Sequence, residues 1–104
     1  MKLSVIMPVY NEEDNIMGIV RKVMNVKIDK ELIIVDDCSK DGTRETLRKI
    51  DNNNNIRVIY HRKNMGKGMA IRTAIKYVTG DIIVIQDADL EYEPEDYYEL
   101  IRPI

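Results

Sequence analysis

The sequence predicts an α/β fold, with helices on both faces of a mostly parallel sheet in a three-layer α/β/α arrangement. Three observations lead to it. Short apolar runs alternate with stretches of helical periodicity along the whole chain. The connections between them are short, and regular β-α-β-α-β-α-β-α alternation implies parallel strands joined by right-handed crossovers. Acid-bearing segments also follow the first, second and fourth apolar runs, where the chain leaves the sheet. The expected strand order is 3-2-1-4.

The elements are justified in turn. Leu3 to Met7 reads as a short strand, with Pro8 where it leaves the sheet. Ile16, Ile19, Val20, Val23 and Met24 follow the spacing of one helix face, with Asn11 as its expected N-cap and Glu12, Glu13 and Asp14 at its positive end. Leu32 to Val35 is a second buried strand ending in Asp36-Asp37. Ser39 to Gly42 supplies turn and capping residues for a helix facing inward with Thr43, Leu47 and Ile50. Asn52 to Asn55 is a polar loop, and Ile56 to Tyr60 alternates as a strand nearer an edge. Gly66-Lys67-Gly68 precedes a helix with Ala70, Ile71, Ala74, Ile75 and Val78 inward and Gly80 as its C-cap. Ile82 to Ile85 is a continuous branched run, the pattern of a strand buried on both faces. Pro94 opens a last helix with Tyr97, Tyr98 and Ile101 on one side.

Composition narrows the function. The 104 residues are one domain, 44% hydrophobic and 33% charged, with a formal net charge of -2. No basic excess exists to support nucleic acid as partner. Cys38 is the only cysteine, so an intrachain disulfide is excluded and a cysteine-based zinc site is not expected. No apolar run has the length to cross a bilayer. Met1-Lys2 leads straight into a strand, unlike a signal peptide, so a cytoplasmic location is expected.

Ligands of such sheets bind beyond the carboxyl ends of the strands, at a switch in strand order. With order 3-2-1-4, Asp36-Asp37 and Asp87-to-Glu91 both face the Pro8–Glu12 loop across one crevice. Asp87, Asp89 and Glu91 are costly to gather because like charges repel, and a hard divalent cation removes that cost. The plain alternative is that Asp87 and Asp89 only end a strand in a turn. The glycine fingerprint of dinucleotide sites and the P-loop are both absent. Gly66-Lys67-Gly68 can place N–H groups and an ammonium near phosphates, or simply form a turn. His61, the only histidine, is expected at the surface of a strand end.

Together PVYNEE, VDDCSKDGT, NMGKGMA and DADLEYEP resemble family 2 glycosyltransferases of the Rossmann-like GT-A fold, in the polyprenyl-phosphate branch typified by dolichol-phosphate mannose synthases. The resemblance runs from Leu3 to the last helix. It implies a nucleotide-sugar site in which Pro8 and Tyr10 line the nucleoside pocket and Glu12 meets the ribose hydroxyls. Val35 and Asp37 would contact the base, and Lys67 would join the nucleotide-sugar contacts. Asp87, Ala88 and Asp89 would meet the sugar diphosphate, with Asp87, Asp89 and Glu91 holding Mg²⁺ or Mn²⁺. Glu91 departs from the glutamine frequent in that branch. The implied reaction is inverting transfer from a GDP- or UDP-sugar to an acceptor such as polyprenyl phosphate, which would bring the protein to a membrane periphery.

In that family the domain continues past the DAD loop, so residues 1–104 correspond to its nucleotide-diphospho-sugar-binding part. A homo-oligomer that hides an apolar edge strand is expected. Two other readings compete. One is a non-catalytic nucleotide- or metal-binding module acting with a partner. The other is a receiver-type signalling domain, which Met7-Pro8 and Tyr60-His61 disfavour because they occupy the positions where receivers need acids.

Overall fold

The structure is a computed structural model that describes residues 1–53, 55–88, 94 and 97–100. Eight elements follow in order: β1 (Leu3–Val9), α1 (Ile16–Asn25), β2 (Lys30–Asp36), α2 (Thr43–Arg48), β3 (Ile56–Tyr60), α3 (Lys67–Ile75), β4 (Ile82–Ile85) and α4 (Tyr97–Leu100). The strands form one sheet in the order β3-β2-β1-β4, and every pairing is parallel. The predicted α/β class, layers and strand order are therefore those observed.

Alternation along β1 divides the core. Leu3, Val5, Met7 and Val9 pack with Ile16, Ile19 and Val23 of α1, and Leu47 of α2 joins the same cluster. Ile6 points the other way and packs with Ile33, Val35, Ala70 and Ala74 under α3. The two alanines leave little side chain between α3 and the sheet, so the start of this helix lies close over the strand ends.

Several expectations are corrected. Pro8 lies within β1, in register with Val35, and does not end the strand. Its position tolerates a missing N–H because the nitrogen faces the β4 side, where pairing stops at Ile6 and Ile85. Asn11 does not cap α1, which starts at Ile16 after Asn15. Asn11 instead adopts a left-handed φ of 52 degrees and bridges to the next loop. Its Oδ1 accepts from Lys40 N at 2.8 Å, and its N–H donates to Ser39 Oγ at 2.9 Å. Gly80 is not the C-cap of α3, which ends at Ile75. It is needed where the chain crosses β1, since a Cβ there would lie 2.6 Å from Ser4 Oγ and 2.8 Å from Lys2 O.

The strand read as buried on both faces is buried on one. Val84 is covered, but Ile83 and Ile85 are 47% and 45% exposed. The reason is position: β4 is the edge strand, and α3 packs over β1 and β2, short of β4. Ile101 and Pro103, assigned to the last helix from sequence, lie outside the described residues.

Candidate active site

A cleft of about 280 Å³ opens at the carboxyl end of the sheet. The end of β1 gives it Pro8 and Val9, and the turn that follows gives Tyr10 and Glu12. The end of β2 contributes Asp37, α3 contributes Lys67 and Ala70, and the end of β4 contributes Asp87 and Ala88. The cleft thus sits where β2 and β4 diverge from the central β1, the switch point expected for this topology.

Each acid at the strand ends has its own environment. Asp36 is fully buried and turned away from the cleft, where it accepts from Ser39 N (3.1 Å), Ser39 Oγ (2.5 Å) and Arg44 Nε (2.7 Å). Arg44 also donates to His61 O, so this pair fixes the β2–α2 turn against the end of β3. Asp37 faces the cleft but is only 4% exposed. Its Oδ1 accepts from Met65 N and its Oδ2 from Gly66 N, both at 2.8 Å. These are the backbone donors that precede α3. Gly66 presents its N–H with φ of 93 degrees, a conformation that side chains disfavour.

His61 is not at the surface. It is 8% exposed, and its Nδ1 lies 2.9 Å from Asp37 Oδ1 while its Nε2 lies 2.8 Å from Thr73 Oγ1. Against a carboxylate Nδ1 carries the proton, which leaves Nε2 to accept from the threonine hydroxyl in neutral histidine. Burial alone would raise the Asp37 pKa, but the bonds from His61, Met65 and Gly66 outweigh it and hold the group below its ordinary value.

Gln86 anchors the other side of the cleft. It is fully buried, accepts from Tyr97 Oη at 2.6 Å, and donates from Nε2 to Asp87 O at 3.2 Å. Asp87 Oδ1 lies 2.5 Å from Lys67 Nζ, so the start of α3 reaches across to the end of β4. Both side chains are substantially exposed, at 57% for Lys67 and 30% for Asp87, so water screens the pair and its stabilising effect is small. Glu12 is positioned through its N–H, which donates to Thr43 Oγ1 at 2.9 Å, and through Oε2, which accepts from Asn15 Nδ2 at 3.1 Å.

Residues 4–104 match the model of glycosyl transferase family 2. The chain belongs to that family. It is 35% identical over its full length to a dolichol-phosphate mannosyltransferase of Pyrococcus furiosus, of which it spans 30%. Among solved structures, S. aureus TarS in complex with UDP superposes with a TM-score of 0.83 at 30% identity, over 96% of this chain and 31% of that one. The mannosyltransferase PcManGT of Pyrobaculum calidifontis, in complex with GDP-Man and Mn²⁺, gives 0.80 at 29% identity, over 90% and 29%. The chain thus spans about a third of the length of these relatives.

In this family 2 chain, the cleft brings together Pro8, Tyr10, Glu12, Asp37, Lys67, Asp87 and Ala88 from among the residues singled out in the sequence. Val35 is not a lining residue; its side chain is fully buried under α3. Asp89 and Glu91 lie outside the described residues. Among the described residues no three of His, Cys, Asp or Glu form a group that could hold a metal ion. Among the described residues, Asp87 presents a partly exposed carboxylate to the cleft, the kind of oxygen ligand that suits a hard cation. Sequence reading placed His61 at the surface and missed Thr73 and Gln86. The available signal was Thr73 and Gln86 as polar residues beside apolar, inward-facing positions. No helix among the described residues is long and apolar enough to cross a membrane.

Proposed function

We propose that residues 1–104 form the nucleotide-diphospho-sugar-binding part of a metal-dependent GT-A glycosyltransferase. It would move a sugar from a GDP- or UDP-sugar to an acceptor such as polyprenyl phosphate, with inversion. The observation that carries this reading is the cleft at the strand switch point. It sets a buried carboxylate (Asp37) and an exposed cation–carboxylate pair (Lys67 and Asp87) on opposite sides of the Pro8–Glu12 loop. Family membership and the nucleotide complexes of related structures support it.

In this reading Pro8 and Tyr10 line the nucleoside, Glu12 accepts from the ribose hydroxyls, and Asp37 accepts from the base. Val35 acts from beneath, as packing behind the base-binding turn. Lys67 and Ala88 meet the diphosphate, where Lys67 offsets its charge. Asp87, Asp89 and Glu91 would hold Mg²⁺ or Mn²⁺. The bound ion would stabilise negative charge developing on the leaving diphosphate. A phosphate acceptor is already ionised and needs no strong base. His61 does not serve as one, because both of its ring nitrogens are engaged.

A lipid-phosphate acceptor implies work at the periphery of a membrane on its cytoplasmic side, and a second copy of the chain is the proposed protein partner across the β4 edge. The competing reading is a non-catalytic nucleotide- and metal-binding module acting with a partner. Calorimetric titration with UDP and GDP, in Mn²⁺ and in EDTA, tests the shared core of both. Binding is expected in Mn²⁺ and strongly reduced in EDTA, and Asp87→Asn should remove most of the difference. Equal affinity in EDTA would overturn the metal-dependent site. Transfer to polyprenyl phosphate by the same preparation separates the enzyme from the module.

A further inference from the structure

We propose that the face of the sheet covered by α3 docks on a membrane surface rich in anionic lipid. The nucleotide-sugar reading above asks for work at a membrane periphery, and this face gives that contact a place outside the cleft. Two independent features mark it, one of charge and one of exposed apolar side chains.

Charge is divided unevenly along the chain. Six of its sixteen basic residues and none of its eighteen acidic ones fall between Asn52 and Gly80. The six are Arg57, Arg62, Lys63, Lys67, Arg72 and Lys76, and all are exposed. They belong to β3, to the turn after it, and to α3 with its end, so the fold gathers them on one side. Arg57 is in register with Ile33, which packs under α3, and its guanidinium lies 4.9 Å from the ring centre of Tyr77. Of the six, only Lys67 has an acidic partner among the described residues.

Exposed apolar side chains collect on the same face. Nine large apolar or aromatic residues are exposed among those described, and six of them lie here. Met65, Met69, Ile75 and Tyr77 belong to α3 and its flanks. Ile83 and Ile85 of β4 are in register with Ser4 and Ile6, and Ile6 packs under α3, so both isoleucines point to this side. The opposite face is covered by residues of α1, α2 and α4.

A lipid leaflet uses both features together. Its phosphates attract exposed lysine and arginine, at about fivefold in affinity for each cation near the surface. Its interfacial zone takes up the methionine, isoleucine and tyrosine side chains. A nucleic acid would engage the cations and leave Met65, Met69 and Ile75 in water. A second copy docked through this face about a two-fold axis would set cations against cations. Lys67 also lines the cleft, so the docked face borders its mouth, where a lipid-borne phosphate is needed.

The test is flotation of the chain with vesicles, without nucleotide or metal, which keeps the result separate from the cleft. Vesicles of equal parts phosphatidylglycerol and phosphatidylcholine should bind it at least about tenfold more tightly than pure phosphatidylcholine. Binding should weaken as salt shortens the screening length from about 10 Å to about 3 Å. Arg72→Gln combined with Lys76→Gln should lower affinity roughly twenty- to thirtyfold. Arg21→Gln combined with Lys49→Gln makes the same change in net charge on α1 and at the end of α2, and should stay within about twofold. Equal binding to both vesicles, or to neither, overturns the proposal. Equal losses in the two double variants overturn the placement on the α3 face. Retention of single-stranded RNA without vesicle binding assigns the face to nucleic acid instead, and a dimer that Arg72→Gln with Lys76→Gln dissolves assigns it to a second copy. Circular dichroism checks that the variants fold, and if one does not, the vesicle and salt comparisons on the unaltered chain decide. Absence of UDP binding in Mn²⁺, measured apart, overturns the nucleotide reading and leaves the docking face standing.

Discussion

Gly66 and Gly68 stand two residues apart and ask opposite things of the backbone. Gly66 has φ of 93 degrees and open space around its Cα, so an added Cβ meets no atom but forces a conformation that side chains avoid. Gly66→Ala should cost about 1–3 kcal/mol from the backbone alone. Gly68 lies within α3, again with nothing near its Cα, and there alanine should stabilise by about 0.5–1 kcal/mol. Urea unfolding of both variants checks the pair, and two changes of the same sign would contradict it. The sequence showed the glycines but not this difference, because φ at a turn depends on what its N–H groups bind. Here they bind Asp37, which was legible as a site residue from its place after β2. Its partners were not legible, since backbone donors leave no mark in residue identity. His61 was misread for a related reason: a strand end tends to be exposed, and burial arises only because α3 brings Thr73 over it.

At the level of elements, apolar runs told where strands lie but not how many of their faces are covered. Ile82–Ile85 has the composition of a central strand and the position of an edge strand. Its two kinds of site should therefore respond differently. Val84→Ala removes methyl groups from the larger core and should cost about 1–2 kcal/mol, while Ile83→Thr should stay within about 0.5 kcal/mol. A large loss for Ile83→Thr in thermal unfolding would mean that the outer face of β4 is covered in solution, as it would be in the proposed homo-oligomer. The helix α1 was read correctly from its spacing, yet its end is secured by a residue outside it. Lys30 Nζ, 7% exposed as a residue, donates to Val26 O at 2.5 Å and approaches Met24 O and Ile28 O at 3.4 Å. Burial holds its pKa below the ordinary lysine value. No periodicity rule looks for a helix-end contact in the following strand.

For the molecule as a whole, strand order and the location of the crevice were legible because alternation and crossover handedness leave few topologies. The same three-dimensional arrangement gives a dependence on pH. Glu31 and Asp37 would have raised pKa values from burial alone, but hydrogen bonds hold both low: from Ser4 and Thr79 to Glu31, and from His61, Met65 and Gly66 to Asp37. A carboxylate with a lower pKa in the folded state stabilises the fold above its unfolded pKa, and that contribution disappears as pH falls through the folded value. Stability should therefore be full at neutral pH and decline below the ordinary carboxylate range, near about pH 4. Urea midpoints measured from about pH 7 to about pH 3 test this, and Asp37→Asn should flatten the slope. A midpoint that rises on acidification would contradict it.

The central place of β1 also has a consequence for how the chain is made. Its first neighbour, β2, is close behind it, but its other neighbour is β4, and Lys2 binds Asp81 through Asp81 N to Lys2 O at 2.7 Å and Lys2 N to Asp81 Oδ2 at 2.9 Å. During synthesis β1 would wait for β4, two strands and three helices further along, before both of its edges are paired. Until then Ile6 O has no Gln86 N to bind, and a growing chain would expose the middle of its own sheet. Chaperone contact would concentrate in that interval.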